Sequence, residues 1–277
     1  MPSACPSGLS TSRRRAAGGA TALAAVLAVA AAAGSAAQQT FRGEQFRRGP
    51  AAVDENVYVP YDGRFAFVRL RYRMPGLAGG FRGFRREPPW HHDYPRADRH
   101  LMRILEEITL LRPHMEESAI LTLDDPELFN YPVAYMSEPG YWTLDDGEVA
   151  GLRAYLAKGG FVIFDDFRQE HWVNFEQQMR RVLPSQTLVE LKVDHPIFHA
   201  FFEIDPARFV SPYGGLTPVF FGVFENDDPS RRLQVIANYN NDIGEYWEFS
   251  DTGWVPIDLS NEAYKFGVNY IVYGMTH

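Results

Sequence analysis

The chain has 277 residues, 45% of them hydrophobic, and carries 35 acidic against 27 basic side chains for a formal charge of −8. An acidic body argues against nonspecific binding to nucleic acid or to an anionic membrane surface. The single cysteine is Cys5, so everything after it lacks a disulfide, a thiolate metal ligand and a cysteine nucleophile.

Arg13, Arg14 and Arg15 precede an uncharged, alanine-rich run from Ala16 to Ala33, and Ser35-Ala36-Ala37 follows with small residues at both cleavage positions. This pattern predicts a secretory signal removed near Ala37, a periplasmic or secreted destination and no membrane span after cleavage. The alternative is an uncleaved anchor, because the run is about long enough to cross a bilayer. Sec and twin-arginine export both stay open. Loss of the three arginines takes the formal charge from −8 to −11 and leaves 240 residues, enough for one core without disulfides. The expected organisation is a signal over 1–37, a flexible lead-in over 38–61 and one α/β domain over 62–277.

Arg64 to Tyr72 reads as the first strand, with Phe65, Phe67, Val68 and Leu70 inward. Gly76 to Gly83 is glycine-rich but lacks the Lys-Ser/Thr ending of a phosphate loop, so it reads as a flexible crossing. Arg96 to Arg112 is a helix, because Ala97, Leu101, Ile104, Leu105, Ile108 and Leu111 repeat at helical spacing and Pro113 follows. Ser118–Leu123 and Val133–Met136 are apolar strand runs, and Ser137–Trp142 turns through its Pro-Gly pair. Thr143 or Asp145 caps a helix whose apolar face is Val149, Leu152, Tyr155 and Leu156, with Gly159 just past its end. Phe161–Phe164 is a short buried strand that exits into Asp165 and Asp166.

Phe175, Met179, Val182 and Leu183 mark another helix, stopped by Pro184. Leu188–Val193 is a short strand. Val219–Phe224 and Leu233–Asn238 form a hairpin-like pair. Asn238–Trp247, rich in amides and aromatics, reads as a turn in preference to a site by its Asn, Asp and Gly content, and Asn261–Tyr273 closes the chain as a helix. Alternating strands and helices predict an α/β fold, a mainly parallel sheet with helices on both faces.

The stretches Trp90-His91-His92-Asp93-Tyr94-Pro95, Glu138-Pro139-Gly140-Tyr141, Gly159 to Asp166, Asp194-His195-Pro196-Ile197 and Asn238 to Gly244, in this order, resemble the DUF4159 domain family. The resemblance runs over about 62–277. It implies a flavodoxin-like three-layer sandwich related to the class I glutamine amidotransferase-like fold, near the trehalose-utilisation group, and no established activity. In active members of that fold the strand equivalent to Phe161–Phe164 leads into a sharp turn bearing a cysteine nucleophile. Asp165-Asp166 stands there in this chain, so cysteine-based glutamine hydrolysis is excluded, and the fold alone carries no activity across that change.

Ligands in open α/β sheets bind at the carboxyl ends of strands. Asp165, Asp166 and His92 are therefore the candidate catalytic residues, and Asp93, Glu138, Tyr141, Trp142 and His195 the candidate ligand-binding residues. Each has a plainer alternative. Asp165 and Asp166 can cap backbone N–H groups, Asp93 can cap the first helix under Trp90 and Tyr94, Glu138 to Trp142 can be a packed turn, and His195 can be structural. His91, His92 and Asp93 with Asp166 and His171 could build an oxygen–nitrogen metal site. Neighbouring histidines diverge on an extended chain, however, so no metal and no cofactor is assigned. Two functions follow. The first is a noncatalytic module that binds a sugar-like ligand or an envelope protein. The second is a hydrolase on a carbohydrate-like or other polar envelope substrate, with Asp165 or Asp166 as general base assisted by His92.

Overall fold

The computed structural model describes residues 57–73, 88–116 and 118–277. The expected signal, most of the lead-in and the Gly76–Gly83 crossing lie outside them. Seven strands form one sheet: β1 (Val68–Arg71), β2 (Ala119–Thr122), β3 (Val133–Ser137), β4 (Phe161–Phe167), β5 (Val189–Glu190), β6 (Val219–Phe224) and β7 (Leu233–Tyr239). Their spatial order is β2-β1-β3-β4-β7-β6-β5. The first five are parallel, β6 runs antiparallel to β7, and β5 antiparallel to β6. The parallel part has the flavodoxin-like order, whose direction of winding reverses between β1 and β3.

Five helices cover this sheet: α1 (Arg96–Ile108), α2 (Asp146–Ala157), α3 (His171–Val182), α4 (Ile243–Glu248) and α5 (Ile257–Thr276). Strand alternation sorts them onto two faces. Val68, Leu70, Ala134, Met136, Val162, Phe164, Val235 and Ala237 join Leu152 and Leu156 of α2 and Phe175, Met179 and Val182 of α3 in one core. The intervening residues face α1, α4 and α5. A Cβ at Gly274 of α5 would come within 2.7 Å of Val133 and 2.8 Å of Phe161, and one at Gly267 within 2.7 Å of Trp247 and 2.8 Å of Leu101. Burial on both faces explains why the central strands read as continuous apolar runs. Among the described residues no helix is long and apolar enough to cross a membrane.

The local signals behave as expected at α2. Asp145 and Glu148 form a reciprocal capping box, and Gly159 adopts φ +108 after the helix. Several readings change. β1 keeps only Val68–Arg71 of the expected Arg64–Tyr72, β5 only Val189–Glu190 of Leu188–Val193, and the last helix begins at Ile257. α1 ends at Ile108 instead of Arg112, because Thr109 turns extended and its hydroxyl donates to Leu105 O at 2.6 Å. β4 runs on through Asp165 and Asp166 to Phe167, with a shift in its pairing to β7 between Phe164 and Phe167. Asn240–Trp247 is not only a turn, since it contains α4, capped by Asp242 accepting from Glu245 N.

The inward set expected from the sequence lacks a buried charge. Arg69 in β1 is fully buried on the α1 side. Its Nη2 lies 2.5 Å from Asp98 Oδ1, and Ser118 Oγ donates to the same carboxylate at 2.6 Å. Its Nη1 donates to the carbonyls of Trp90 at 3.2 Å and His92 at 2.8 Å. Burial alone would draw the guanidinium's pKa down, but the Asp98 carboxylate outweighs this and holds it above its usual value. Removing one partner of such a pair strands the other charge. Arg69→Met should cost about 3–5 kcal/mol in urea unfolding, and Arg69→Met/Asp98→Leu should recover most of it. A double variant as unstable as the single one would show that the pair is not the cause.

Candidate metal centre

Three parallel strands deliver four side chains to one place. After β1, the short turn Pro89–His91 leads to His92 and to Asp93, whose φ is +66. The carbonyls of Trp90 and His92 are held by Arg69, and the Asp93 carbonyl accepts from Ala97 N at 3.0 Å to start α1. Asp166 comes from the end of β4, and Asp242 from the turn after β7. All sit at the carboxyl edge of the parallel sheet, where such folds place ligands.

The irregularity in β4 separates the two neighbouring aspartates. Asp165 keeps the strand's alternation and points to the α4 side. Its Oδ1 accepts from Asn238 Nδ2 at 3.0 Å. Its Oδ2 accepts from Tyr135 OH at 3.0 Å, Ile243 N at 2.9 Å and Gly244 N at 3.0 Å. Burial pushes its pKa up to about 6, against the pull of the Asn238 and Gly244 hydrogen bonds. Asp165 is thus the buried anchor for the start of α4, the capping alternative realised across the fold. Asp166 departs from the strand at φ +60. Its Oδ2 lies 2.7 Å from His92 Nδ1 and accepts from Ser137 Oγ at 3.3 Å, while Tyr213 OH donates to Oδ1.

His92, Asp93, Asp166 and Asp242 each present one ligand atom, and these four atoms lie within 4.8 Å of one another. The Asp93 side chain is 0% exposed, yet neither carboxylate oxygen makes a hydrogen bond. His92 Nδ1 lies close to Asp166 and 3.3 Å from Asp93 Oδ1, off the line a hydrogen bond requires. Burial drives the Asp93 pKa well above the carboxylate range, and burial followed by the nearby Asp166 does the same for Asp242. Burial would lower the His92 pKa, but the Asp93 and Asp166 carboxylates outweigh it and raise the value.

Buried carboxylates without hydrogen bonds are costly, and paired or metal-coordinating ones are the usual resolution. Three carboxylates and one imidazole form an oxygen-rich donor set that suits a divalent cation such as Mg²⁺, Mn²⁺ or Zn²⁺. The 34% exposure of the His92 side chain opens the group to solvent on one side.

The sequence left metal unassigned because adjacent histidines diverge. They do: the His91 ring packs 5.4 Å from Trp90 and 5.0 Å from Tyr94. The remaining ligands come from other strand ends. Asp242 is the residue the sequence reading set aside as part of a turn, and its position just after β7 was the available signal.

The other expected site residues are not part of the group. Glu138 is buried at φ +49 after β3, its carbonyl accepts from Tyr72 OH at 2.6 Å and its N–H donates to Asp165 O at 3.0 Å. Tyr141 is 40% exposed beside His171, ring centroids 4.6 Å apart. Trp142 is a core residue instead of a stacking platform, fully buried 5.1 Å from Phe164 and 5.9 Å from Phe175. His195 lies at the opposite edge of the sheet, 6.0 Å from Tyr273, which in turn packs 5.8 Å from Phe161 at the start of β4. Its Nδ1 accepts from Ile197 N at 3.2 Å, the structural alternative.

Two outcomes follow. A Cβ at Gly244 would stand 2.5 Å from Asp93 Oδ2 and 2.9 Å from Tyr135 OH. Gly244→Ala should therefore displace the Asp93 carboxylate and weaken Mn²⁺ binding at least tenfold in calorimetric titration; unchanged affinity would remove Asp93 from the site. Burial lowers the His195 pKa from its usual value to about 4. The folded state therefore favours the neutral ring, and this contribution, full above pH about 6.5, is lost as pH falls toward 4. His195→Asn keeps a capping oxygen without that titration, so its melting temperature should fall less than that of the wild type between pH 7 and 4. Parallel declines would contradict this.

None of the curated proteins matches the chain. The family model described as "Domain of unknown function (DUF4159)" matches residues 66–275, which span β1 to α5 and include all four residues of the group. The order of motifs along the sequence and the match over most of its length agree: the chain belongs to the DUF4159 family.

Proposed function

We propose that this domain is an exported, divalent-cation-dependent hydrolase acting on a polar substrate of the cell envelope, with His92, Asp93, Asp166 and Asp242 as the cation's ligands. The observation that carries the reading is the Asp93 carboxylate, wholly buried beside two other acids and without a hydrogen bond to either oxygen. A cation bound there would supply Lewis-acid polarisation or an activated water. The chain's own residues hold the ligands: Arg69 fixes the His92–Asp93 turn, Asp165 fixes the start of α4 below Asp242, and Ser137 and Tyr213 orient Asp166.

Export rests on the amino-terminal pattern alone. Kinship with the amidotransferase-like fold is supported by the order β2-β1-β3-β4-β7 and by Asp166 at positive φ, where related folds turn sharply into a nucleophile. The noncatalytic binding reading keeps one observation, the near-complete burial of Asp93, Asp166 and Asp242, which also suits a cation that only organises a ligand.

The test is a panel of chromogenic ester, phosphoester and glycoside substrates, run on chelated protein with and without Mg²⁺, Mn²⁺, Zn²⁺ and Ca²⁺. Restored activity that falls at least 100-fold in Asp166→Asn supports the hydrolase. Cation binding without turnover on any substrate favours the binding module. Activity indifferent to chelation and to Asp166→Asn would overturn the site.

A further inference from the structure

The four-residue group does not account for all the acid at this edge. Glu245 and Glu248 stand three residues apart on α4, a spacing that puts both on one face of a helix. Each presents an oxygen within 4.8 Å of the other's and of one from Asp93. Asp93 is therefore common to two groups. Its oxygens also face different ways. Oδ1 lies 3.3 Å from His92 Nδ1. Oδ2 lies against α4, so close to Gly244 that a Cβ there would stand 2.5 Å away. The side chain is 0% exposed and neither oxygen is hydrogen-bonded. A buried carboxylate that belongs to both groups, and whose two oxygens make no hydrogen bond, has the disposition of a bridge.

We propose that the domain binds two divalent cations that share Asp93: the first among His92, Asp93, Asp166 and Asp242, the second among Asp93, Glu245 and Glu248. This rests on the cation reading of the first group. The second group is all oxygen, which favours hard cations such as Mg²⁺ and Mn²⁺ over softer ones. Five carboxylates converge on this edge, and one dication leaves a larger excess of negative charge than two. The absence of a side chain at Gly244 gives the bridge its room. A pair of cations can hold the attacking and the leaving oxygen of one substrate together. The reaction class narrows accordingly to hydrolysis at a phosphoryl or acyl centre, in preference to a glycosidic carbon.

The test uses chelated full-length mature protein titrated with Mn²⁺, with bound metal counted by native mass spectrometry and electron paramagnetic resonance recorded at two equivalents. Wild type should bind two ions with an exchange-coupled spectrum. Glu245→Gln/Glu248→Gln should bind one, with the uncoupled six-line pattern. One ion in the wild type that the double variant retains, or two uncoupled ions, overturns the bridge and leaves the first site standing. No bound ion in the wild type overturns both. A thermal melt of the metal-free double variant checks that it folds; if it does not, the wild-type count and spectrum decide alone.

Discussion

The buried ion pair between Arg69 and Asp98 is the constraint on which the candidate site depends. Arg69 lies on β1 with no exposure, and Asp98 lies in the first turn of α1. The pair therefore ties the sheet to the helix that immediately follows the His92–Asp93 turn. The same guanidinium donates to the carbonyls of Trp90 and His92, so it fixes the backbone of that turn from beneath. An ion pair this deep contributes little net stability compared with well-packed apolar residues. What it supplies is position: a carboxylate at φ +66 held where its oxygens find no donor.

Asp165 plays the matching role on the other side. Four hydrogen bonds, two of them from the first backbone N–H groups of α4, hold that short helix against the end of β4. α4 in turn sets Asp242 at its cap and Glu245 and Glu248 along one face. Two buried charged anchors, Arg69 with Asp98 and Asp165 with its donors, thus frame a group of acids in which the Asp93 carboxylate makes no hydrogen bond. Buried polar networks are stable when complete and costly when partial. The contrast between the frame and the Asp93 carboxylate is what supports the proposal of a cation at this edge of the sheet.

Much of this was legible in the sequence, for physical reasons that also explain the gaps. The apolar runs at Val133, Phe161, Val219 and Leu233 carry their strands because both faces of the sheet are covered. The rule that sites lie at strand ends singled out His92, Asp93 and Asp166, which the fold brings together. Asp242 was passed over because Asn240-Asn241-Asp242 has turn chemistry, although it follows closely on the expected strand Leu233–Asn238; the pairing of β7 with β4 is what brings it beside Asp166. The roles of Asp165 and Asp166 depend on a pairing shift with β7 that no local pattern encodes. Arg69 was invisible because an arginine between apolar strand residues reads as an exposed position until its partner, 29 residues away, is known. Trp142 read as a binding aromatic because an aromatic beside a turn looks alike whether it faces solvent or Phe164 and Phe175. Local rules fail where function or a long-range pair overrides them.

The most direct measurement is anomalous diffraction from crystals of the domain soaked in Mn²⁺, recorded on the low- and high-energy sides of the manganese edge. The account expects an anomalous peak bounded by His92 Nδ1 and by oxygens of Asp93, Asp166 and Asp242, at coordination distances of about 2.0–2.3 Å. A site without anomalous signal, in which Asp93 instead hydrogen-bonds to a protonated neighbour or to water, would contradict it.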